Sequence, residues 1–393
     1  MKVLILSSFA FSLINFRGRL IEAMGQAGHE VVACAPDSDT EVERQLAAIG
    51  ARYCRTAMDR TGSSPLADLR TLLRYIAIIR RERPDVVLAY TQKPIIYGGL
   101  AARLFSRTRF YALLSGLGYV FSPAAEGRPV LRAIVARLYR SAIARARAIF
   151  VFNADDRGEL IAHGIVGACA PVIQVPGSGV DIAHFAEAAI PAGPVRFLMI
   201  ARLMLDKGIV EYAEAARRLK ERYPEAIFML LGRLDLENPT GISEDDLAAW
   251  VDSGVIDYHP ETRDVRPLLI SSTAFVLPSY YREGLPRTLL EAMATGRPLI
   301  TTDLPGCRET VIEGRNGFLV PPRHVDALCT AMEQFLIDRS LAAAMGSASR
   351  MFAVDRFDVE KVNRQLLGAM GIRTAEEPFP PLILRPDAGL RAA

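Results

Sequence analysis

Short apolar runs alternate with longer amphipathic segments along most of this 393-residue chain. Runs of four or five apolar residues are typical of buried strands, and segments whose apolar positions recur every three or four residues are typical of helices. Because strands that alternate with helices form parallel sheets covered by helices, the pattern predicts an α/β protein. In the first half, the predicted strands are 3–6, 30–33, 86–90, 110–114, 149–152 and 172–175, and the predicted helices are 16–27, 41–49, 65–82, 98–104 and 130–144.

The second half of the chain repeats this scheme. A chain of this length is too long for one hydrophobic core, so the repetition predicts two doubly wound, Rossmann-like domains. In such domains ligands bind at the carboxyl ends of the strands, and we expect both sets of strand ends to face a cleft between the domains. The predicted strands are 196–200, 227–231, 255–258, 274–277 and 299–302, and the predicted helices are 208–222, 245–253, 287–294 and 325–338.

The loop 183–194, rich in alanine and proline, is the predicted domain boundary. The first domain is then 1–183 and the second 195–355. A helix within 356–372 is predicted to pack back on the first domain, and 373–393, with four prolines, is predicted to be a tail.

Composition is that of an ordinary globular protein, with 50% hydrophobic and 23% charged residues. Five scattered cysteines form no C-x-x-C pair and no metal-ligand spacing, which indicates reduced thiols and a cytoplasmic location. The longest uncharged run, 110–125, is interrupted by glycine and proline and is shorter than the roughly 20 residues of a membrane-spanning helix.

Charge is unevenly distributed, since residues 1–150 contain 22 Lys and Arg but only 11 Asp and Glu. Six arginines between 128 and 147 lie on or beside one predicted helix with no acidic residue among them. This basic surface, which includes Arg132, Arg137 and Arg140, indicates attraction to an anionic membrane surface or to a polyphosphate. The alternative is that these arginines are only a solvated face of the helix. Nucleic acid is not predicted as a partner, because no module of basic and stacking aromatic residues is present.

The most distinctive segment, 279–298, follows a predicted buried strand and enters a helix near Pro286. Glu283 and Glu291 bracket seven residues across this turn. The free N–H groups and the positive end of the helix dipole favour an anion there, and the carboxylates suit sugar and ribose hydroxyls. This combination points to a nucleotide sugar.

A second phosphate-directed element, 201–208, follows the first strand of the second half. Arg202 offers a planar fork for two phosphate oxygens, and Lys207 adds a point charge at the start of a helix. Neither a G-x-G-x-x-G fingerprint nor a G-x-x-x-x-G-K-[ST] loop is present, so a dehydrogenase and a P-loop ATPase are not predicted.

Together these motifs resemble the family-four retaining glycosyltransferases of the GT-B fold. The resemblance rests on Arg202, Lys207 and the E-x7-E spacing of Glu283 and Glu291, and it covers about residues 1–370. The segments 15–17 and 116–121 resemble the subgroup that builds capsule and lipid-linked oligosaccharides, which includes enzymes acting on undecaprenyl-diphosphate-linked sugars.

The resemblance implies a role for each matching residue on the donor side. Arg202 and Lys207 would hold the donor diphosphate, Glu283 the hydroxyls of the transferred sugar and Glu291 the ribose. The remaining implied donor contacts are Gly284 and Leu285 through backbone N–H groups, Gly232 after its strand, and His259 and Thr262 in a segment that would hold the base of a UDP-linked sugar.

The acceptor would be a lipid-linked glycan, and the implied contacts lie in the first domain. They are Phe16, Arg17, Gly18, Thr91, Lys93 and Ser115. Ser115 departs from many relatives, which place a histidine there, so a general base is not evident. Front-face substitution does not require one, because the leaving phosphate oxygen can take the acceptor proton while positive groups stabilise the diphosphate. We expect no cofactor and no metal, since no D-x-D constellation sits at a strand end.

Three alternatives remain open at this point. A glycoside hydrolase would use two carboxylates as acid and nucleophile, but it leaves Arg202 and Lys207 without a role. A nucleotide-sugar epimerase of GT-B-like form would need acid–base residues at the hexose. A binding protein without turnover is the third.

Overall fold

The structure is a computed structural model, and it describes residues 1–59, 64–116, 121, 129–236 and 238–373. The chain divides into two compact units. One is Met1–Ser178 with the segment that begins at Glu360, and the other is Gly179–Val359. The predicted tail, apart from Arg373, and most of the glycine-containing segment 116–121 lie outside the described residues.

The first unit contains a seven-stranded parallel sheet. Its strands are β1 (Lys2–Leu6), β2 (Glu30–Ala35), β3 (Ala51–Arg55), β4 (Val86–Tyr90), β5 (Arg109–Leu114), β6 (Ala148–Val151) and β7 (Val172–Gln174), in the order 3-2-1-4-5-6-7. The helices are α1 (Ala10–Asn15), α2 (Gly18–Gln26), α3 (Thr40–Ala48), α4 (Pro65–Glu82), α5 (Gln92–Ala102), α6 (Pro129–Ile143) and α7 (Ala154–Ala162).

The second unit contains a six-stranded parallel sheet. Its strands are β8 (Arg196–Ile200), β9 (Ile227–Gly232), β10 (Asp257–Pro260), β11 (Ala274–Leu277), β12 (Leu299–Thr302) and β13 (Gly317–Val320), in the order 10-9-8-11-12-13. The helices are α8 (Ile209–Arg222), α9 (Glu244–Asp252), α10 (Arg266–Ser271), α11 (Arg287–Ala294), α12 (Val325–Ile337) and α13 (Ser340–Phe352). The prediction of two doubly wound α/β units is confirmed.

The central strands explain why the apolar runs locate the sheets. Val3, Leu6, Val86 and Ala89 on β1 and β4 are fully buried, as expected for strands covered by helices on both faces. The edge strand β3 was not predicted, because its residues Arg52 and Arg55 are exposed and interrupt the apolar pattern. β13, α1, α7, α10 and α13 were also missed.

Two predicted boundaries are wrong for identifiable reasons. Helix α5 begins at Gln92 rather than 98, because Pro94 falls in the first turn, where a missing N–H costs nothing. Strand β10 begins at Asp257 rather than 255, since the N–H groups of Val255 and Ile256 both donate to Trp250 O at 3.1 Å and close α9 instead.

The alanine- and proline-rich loop belongs to the second unit rather than marking its edge. The buried Arg297 donates to Ala188 O at 2.6 Å and Ala189 O at 3.1 Å, and Arg350 donates to Phe185 O at 3.0 Å. The division between the units falls earlier, after Ser178.

The last helix, α14 (Val359–Ala369), is part of the first unit from Glu360 onward. Gln365 Nε2 donates to Gln174 O at 3.1 Å, and Tyr111 OH donates to Met370 O at 3.1 Å. Within the described ranges, no helix has both the length and the apolar character needed to cross a bilayer.

Candidate active site

The second sheet reverses its strand order at β8, which lies between β9 and β11. Chain segments leaving β8 and β11 therefore go to opposite faces of the sheet and leave room at the carboxyl ends between them, where α/β proteins bind ligands. The segment after β8 carries Arg202 and Lys207, and the segment after β11 carries Glu283.

Lys207 and Glu283 meet at this point. Lys207 ends a short 3-10 turn, Leu205–Lys207, and its Nζ donates to Glu283 Oε1. Both side chains are 13% exposed, so the ion pair is largely shielded yet reachable from solvent. Ser279, which is fully buried, donates to the same Oε1 at 3.2 Å, and Lys207 Nζ lies 5.1 Å from the centre of the Tyr281 ring.

Backbone contacts hold the two segments together. The N–H groups of Tyr280 and Tyr281 both donate to Asp206 O at 2.9 Å. Gly208 has a φ of +78°, and a Cβ built there would lie 2.2 Å from Pro278 O, so only glycine permits this approach. The position of Lys207 beside Glu283 is thus fixed by main-chain geometry.

The segment after β12 closes the site from the other side. Thr302 Oγ1 donates to Ser279 O, and a Cβ on Gly306 would lie 2.5 Å from Glu283 O. Burial, with a further contribution from the Glu283 carboxylate, raises the pKa of the Cys307 thiol to about 12, so this cysteine is a neutral packing residue. Gly284 and Leu285 are buried beneath these contacts.

Arg202, in the same segment after β8 as Lys207, lies near the end of β9. Its Nη1 is 3.5 Å from Asp235 Oδ2 in the segment after β9, and the side chain is half exposed. A Cβ on Gly232 would lie 1.9 Å from Ala201 O, so this glycine is required for the close approach of the two strand ends. The sequence interpretation missed Asp235, although a polar residue shortly after a strand end was a usable signal.

Glu291 occupies the first turns of α11 and pairs with Arg287, whose Nη2 lies 3.1 Å from Glu291 Oε1. Burial raises the pKa of the Glu291 carboxyl, and the neighbouring Arg287 opposes that rise. Arg287 is a second residue that the sequence interpretation missed, four positions before Glu291 on the same helix face.

The segment predicted to hold the nucleotide base follows the edge strand β10. His259 lies within β10 with Nε2 3.3 Å from Asp257 Oδ2. Thr262 forms a turn in which its Oγ1 accepts from Asp264 N at 3.3 Å, and Arg266 Nε in turn donates to Asp264 Oδ1 at 2.7 Å. The carbonyl of Gly232 accepts from Tyr258 OH at 2.9 Å, which ties β10 to the end of β9.

The first sheet has its own order reversal, between β1 and β4. Thr91, directly after β4, has φ +68° and ψ 158°, a region that β-branched residues avoid at a cost on the order of 1–3 kcal/mol. Its Oγ1 donates to Ser8 Oγ at 2.8 Å, just after β1. A strained residue held at a strand end in this way is typical of a functional site.

Two family models match the chain and together span most of it. The model described as "Glycosyl transferases group 1" matches residues 181–352, and the one described as "Glycosyl transferase 4-like domain" matches residues 15–176. The chain is a glycosyltransferase whose residues 181–352 belong to group 1.

Curated relatives agree with this assignment. This glycosyltransferase is 26% identical to the N,N'-diacetylbacillosaminyl-diphospho-undecaprenol alpha-1,3-N-acetylgalactosaminyltransferase of Campylobacter jejuni, over 87% of this chain and 91% of that protein. It is 25% identical to the UDP-Gal:alpha-D-GlcNAc-diphosphoundecaprenol alpha-1,3-galactosyltransferase of Escherichia coli, over 76% of this chain and 78% of that protein.

Among solved structures, Anabaena Alr3699/HepE in complex with UDP superposes with a TM-score of 0.76 at 18% identity, covering 94% of this chain and all of that one. This likeness shows the GT-B fold, which confirms the predicted fold class.

The acceptor residues predicted for this glycosyltransferase are placed unevenly. Ser115 is exposed directly after β5, and Gly18 begins α2, where an added Cβ would lie 4.0 Å from Ile14 Cγ2, an ordinary contact distance. Phe16 is 39% exposed, whereas Arg17 is 3% exposed, with its guanidinium 5.4 Å from the centre of the Tyr90 ring.

Lys93 is already paired, because its Nζ lies 2.8 Å from Asp68 Oδ1 and both side chains are less than a fifth exposed. A charged acceptor group would therefore compete with Asp68 for this lysine.

The basic helix of the glycosyltransferase, α6, differs from the predicted picture. Arg140 donates to Gly164 O, and Arg132 is half-buried, so neither extends freely from the helix. Arg137 is exposed and lies on the same side as Val130 and Ile134, which are 72% and 53% exposed. The exposed face of α6, defined by Val130, Ile134 and Arg137, is thus more apolar and less basic than predicted.

No group of three or more His, Cys, Asp or Glu side chains is arranged to hold a metal ion in the part of the chain that the structure describes.

Proposed function

We propose that this glycosyltransferase transfers a hexose or N-acetylhexosamine, with retention of configuration, from a UDP-sugar to a sugar linked to undecaprenyl diphosphate. The reaction would serve the synthesis of a surface polysaccharide or glycan. The single observation that carries the proposal is the contact between Lys207 and Glu283, two shielded groups of opposite charge at the order reversal of the second sheet.

The donor diphosphate would bind beside Lys207 and Arg202. Lys207 neutralises Glu283, and each is held by its own loop. An incoming diphosphate would compete for the ammonium and leave the Glu283 carboxylate to accept hydrogen bonds from sugar hydroxyls. Main-chain contacts fix the loops that carry both groups, so the step requires only that the Lys207 ammonium exchange Glu283 for the diphosphate.

The ribose would be held by Glu291, which Arg287 keeps oriented along α11. Gly284 and Leu285 would offer backbone N–H groups near the start of that helix, and Gly232 would allow the nucleotide to approach the end of β9. His259 and Thr262 flank the segment proposed for the uracil. The E. coli relative, whose name states UDP-Gal as its donor, supports the uridine nucleotide.

The acceptor side of the proposal rests on the first unit. The names of both relatives specify undecaprenol-linked diphosphate sugars, and the strained Thr91 lies where such a diphosphate would reach the carboxyl end of the first sheet. Ser115, Phe16, Arg17 and Gly18 lie on segments that follow strands or begin helices at that end, and Lys93 would join them if released from Asp68.

The chemistry would run by front-face substitution. The bond from the anomeric carbon to the diphosphate oxygen breaks, the acceptor hydroxyl oxygen bonds to that carbon on the same face, and its proton passes to the leaving phosphate oxygen. Lys207 and Arg202 stabilise the negative charge that grows on the diphosphate, which lowers the barrier more than it strengthens ground-state binding. We propose that no metal takes part.

The experiment is a transfer assay with a panel of UDP-sugars and undecaprenyl-diphosphate-linked GlcNAc, with and without a chelator. We expect a lipid-linked disaccharide with an α linkage, and equal rates in both conditions. Free sugar would indicate a hydrolase, and an isomerised UDP-sugar would indicate an epimerase. Loss of transfer on chelation, restored by Mg²⁺, would contradict the metal-free step alone.

A further inference from the structure

The first unit contains a pocket that the transfer reaction does not use. Its volume is about 600 Å³, and it lies between the carboxyl-terminal ends of α5 and α6 and the beginning of β5. Ligand pockets typically measure about 300–1,000 Å³, so this one has room for a small molecule or a lipid headgroup. Among the residues that the structure describes, no acidic one lines it, and five arginines do: Arg103, Arg107, Arg109, Arg145 and Arg147.

The fold concentrates these arginines. A Cβ on Gly99 would lie 2.6 Å from Ala142 O, so α5 and α6 pack with their backbones almost touching, and the segments after both helices emerge side by side. β5 and β6 are neighbours, and Arg147 N donates to Phe110 O at 2.8 Å. Arg147 thus lies beside the start of β5, where Arg109 is the first residue.

Two of the five arginines have structural partners and three do not. Arg103 Nη1 donates to Ser141 O at 2.8 Å, and Arg109 Nη1 donates to Met370 O at 3.1 Å. Arg107, Arg145 and Arg147 are exposed, and their guanidinium groups make no hydrogen bond or ion pair with any residue that the structure describes. Three of the five charged guanidinium groups at the pocket therefore have all their N–H donors available.

The helix ends do not cancel this charge. Each carboxyl-terminal end contributes at most about half a negative charge, and Arg103 already satisfies the Ser141 carbonyl on α6. Two such ends oppose five guanidinium groups, which stay charged throughout the physiological pH range. The pocket is therefore strongly positive.

The pocket is separate from the proposed acceptor residues. It lies at the amino end of β5, whereas Ser115 follows the carboxyl end of the same six-residue strand. At about 3.3 Å per residue the two ends are roughly 20 Å apart. One acceptor molecule held at Ser115 does not explain the pocket.

We propose that this arginine pocket binds a phosphate-bearing anion, either the headgroup of an acidic lipid or a free phosphate or diphosphate. Arginine forks match phosphate oxygens in pairs, and three of them are available without breaking an existing contact. Leu104 lies in the chain between the lining residues Arg103 and Phe105 and is 65% exposed, and an exposed apolar side chain next to the lining suits a ligand whose phosphate is attached to an apolar body.

The first arm of the test uses inorganic pyrophosphate and calorimetry at physiological ionic strength. The full chain carries Arg202→Ala and Lys207→Ala, which removes the proposed donor-diphosphate site from the measurement. The pocket variant adds Arg107→Glu and Arg147→Glu, and the matched control adds Arg70→Glu and Arg80→Glu, two exposed arginines of α4 with the same charge change. We expect the pocket variant to bind at least about tenfold more weakly than the control.

The second arm measures co-sedimentation with phosphatidylcholine vesicles, with and without phosphatidylglycerol, for the pocket and control variants in the otherwise natural chain. If the pocket variant loses binding only to the vesicles, the ligand is a lipid headgroup. If it loses binding only to pyrophosphate, the ligand is a free anion. Loss of both identifies a site open to either.

Equal behaviour of pocket and control variants in both arms overturns the proposal. Because the pocket does not take part in transfer, the pocket and control variants of the second arm, which retain Arg202 and Lys207, should keep their rate on a water-soluble acceptor analogue. That rate therefore reports separately on the proposed function.

Discussion

Lys207 and Glu283 are 13% exposed and in direct contact, so each is both a reactive group and the other's counter-ion. We predict that Lys207→Ala and Glu283→Ala each lower kcat/KM for transfer at least about a hundredfold, as the loss of one preorganised charge-stabilising group does elsewhere. Steady-state kinetics with saturating acceptor would measure this. Lys220→Ala and Glu225→Ala, which change the same residue types on and just after α8, serve as controls.

The outcome that would remove either residue from the mechanism is a rate within a few-fold of the unmodified enzyme. Melting temperatures must accompany the rates, because each substitution leaves a shielded charge without its partner, which destabilises the fold by itself. A lowered rate measured well below the melting temperature of the variant assigns the effect to the reaction.

Glu82 provides a pH-dependent prediction. Burial disfavours its charged form, but hydrogen bonds from Arg52, Lys2 and Arg81 outweigh burial and lower the carboxyl pKa to about 2. An unfolded glutamate has a pKa of about 4.3, so the unfolded chain takes up the proton first as the pH falls. The stabilisation is present above pH about 4.3 and is lost as the pH falls towards 2.

We therefore expect the unfolding free energy to fall less steeply between pH about 4.5 and 2.5 in Glu82→Gln than in the unmodified protein. Urea denaturation at a series of pH values would measure both slopes. Identical slopes would show that the ion pairs around Glu82 do not persist in solution.

At the scale of the elements, the buried Arg297 connects two loops of the second unit. Arg297, just before β12, is fully buried and donates to Ser272 O at 2.9 Å as well as to Ala188 O and Ala189 O. Burial lowers its pKa to about 10, so it remains charged at neutral pH. Arg297 thus connects the residue after α10 to the loop that precedes β8.

We predict that Arg297→Met lowers the unfolding free energy by about 1–3 kcal/mol, because the buried Ser272 carbonyl loses its donor, whereas the carbonyls of the half-buried Ala188 and the exposed Ala189 can turn to water. Chemical denaturation would measure the loss, and Arg315→Met, at an exposed arginine, is the control. A cost below about 1 kcal/mol would mean that water replaces the guanidinium in the folded state.

The elements also show where sequence patterns stop being informative. Strands β1, β4, β8 and β11 were located within a residue or so, since both faces are buried and the apolar run is continuous. β3 and β10 lie at sheet edges, where one side lacks a strand partner and charged residues are tolerated, so the pattern fails. The predicted helix α5 was too short because a proline usually marks the end or the outside of a helix. Pro94 instead lies in the first turn of α5, where proline is tolerated.

At the scale of the whole molecule, the property that we predict is association with an anionic membrane surface. The exposed face of α6 combines two apolar side chains with Arg137, whereas the sequence predicts a basic amphipathic surface that includes Arg132, Arg137 and Arg140. We predict that Ile134→Asp with Arg137→Glu weakens binding to phosphatidylglycerol-containing vesicles at least about tenfold, since it removes buried apolar area and reverses a charge near the anionic surface.

The matched control is Ile270→Asp with Arg315→Glu, which makes the same changes at exposed positions of the second unit. Co-sedimentation that is equal for the two double variants would indicate that α6 is a solvated face. The arginine pocket is tested by different substitutions, so the prediction for α6 and the proposal for the pocket can be contradicted independently.

The sequence by itself determined the two α/β units, the strand ends that carry chemistry and the E-x7-E spacing, because each depends on residues close together in the chain. Only the tertiary structure decided which of those residues meet. Lys207 contacts Glu283 across 76 positions, Arg202 lies beside Asp235, and Lys93 is paired with Asp68. Such contacts follow from strand order and close backbone approaches, which local patterns of hydrophobicity and charge do not encode.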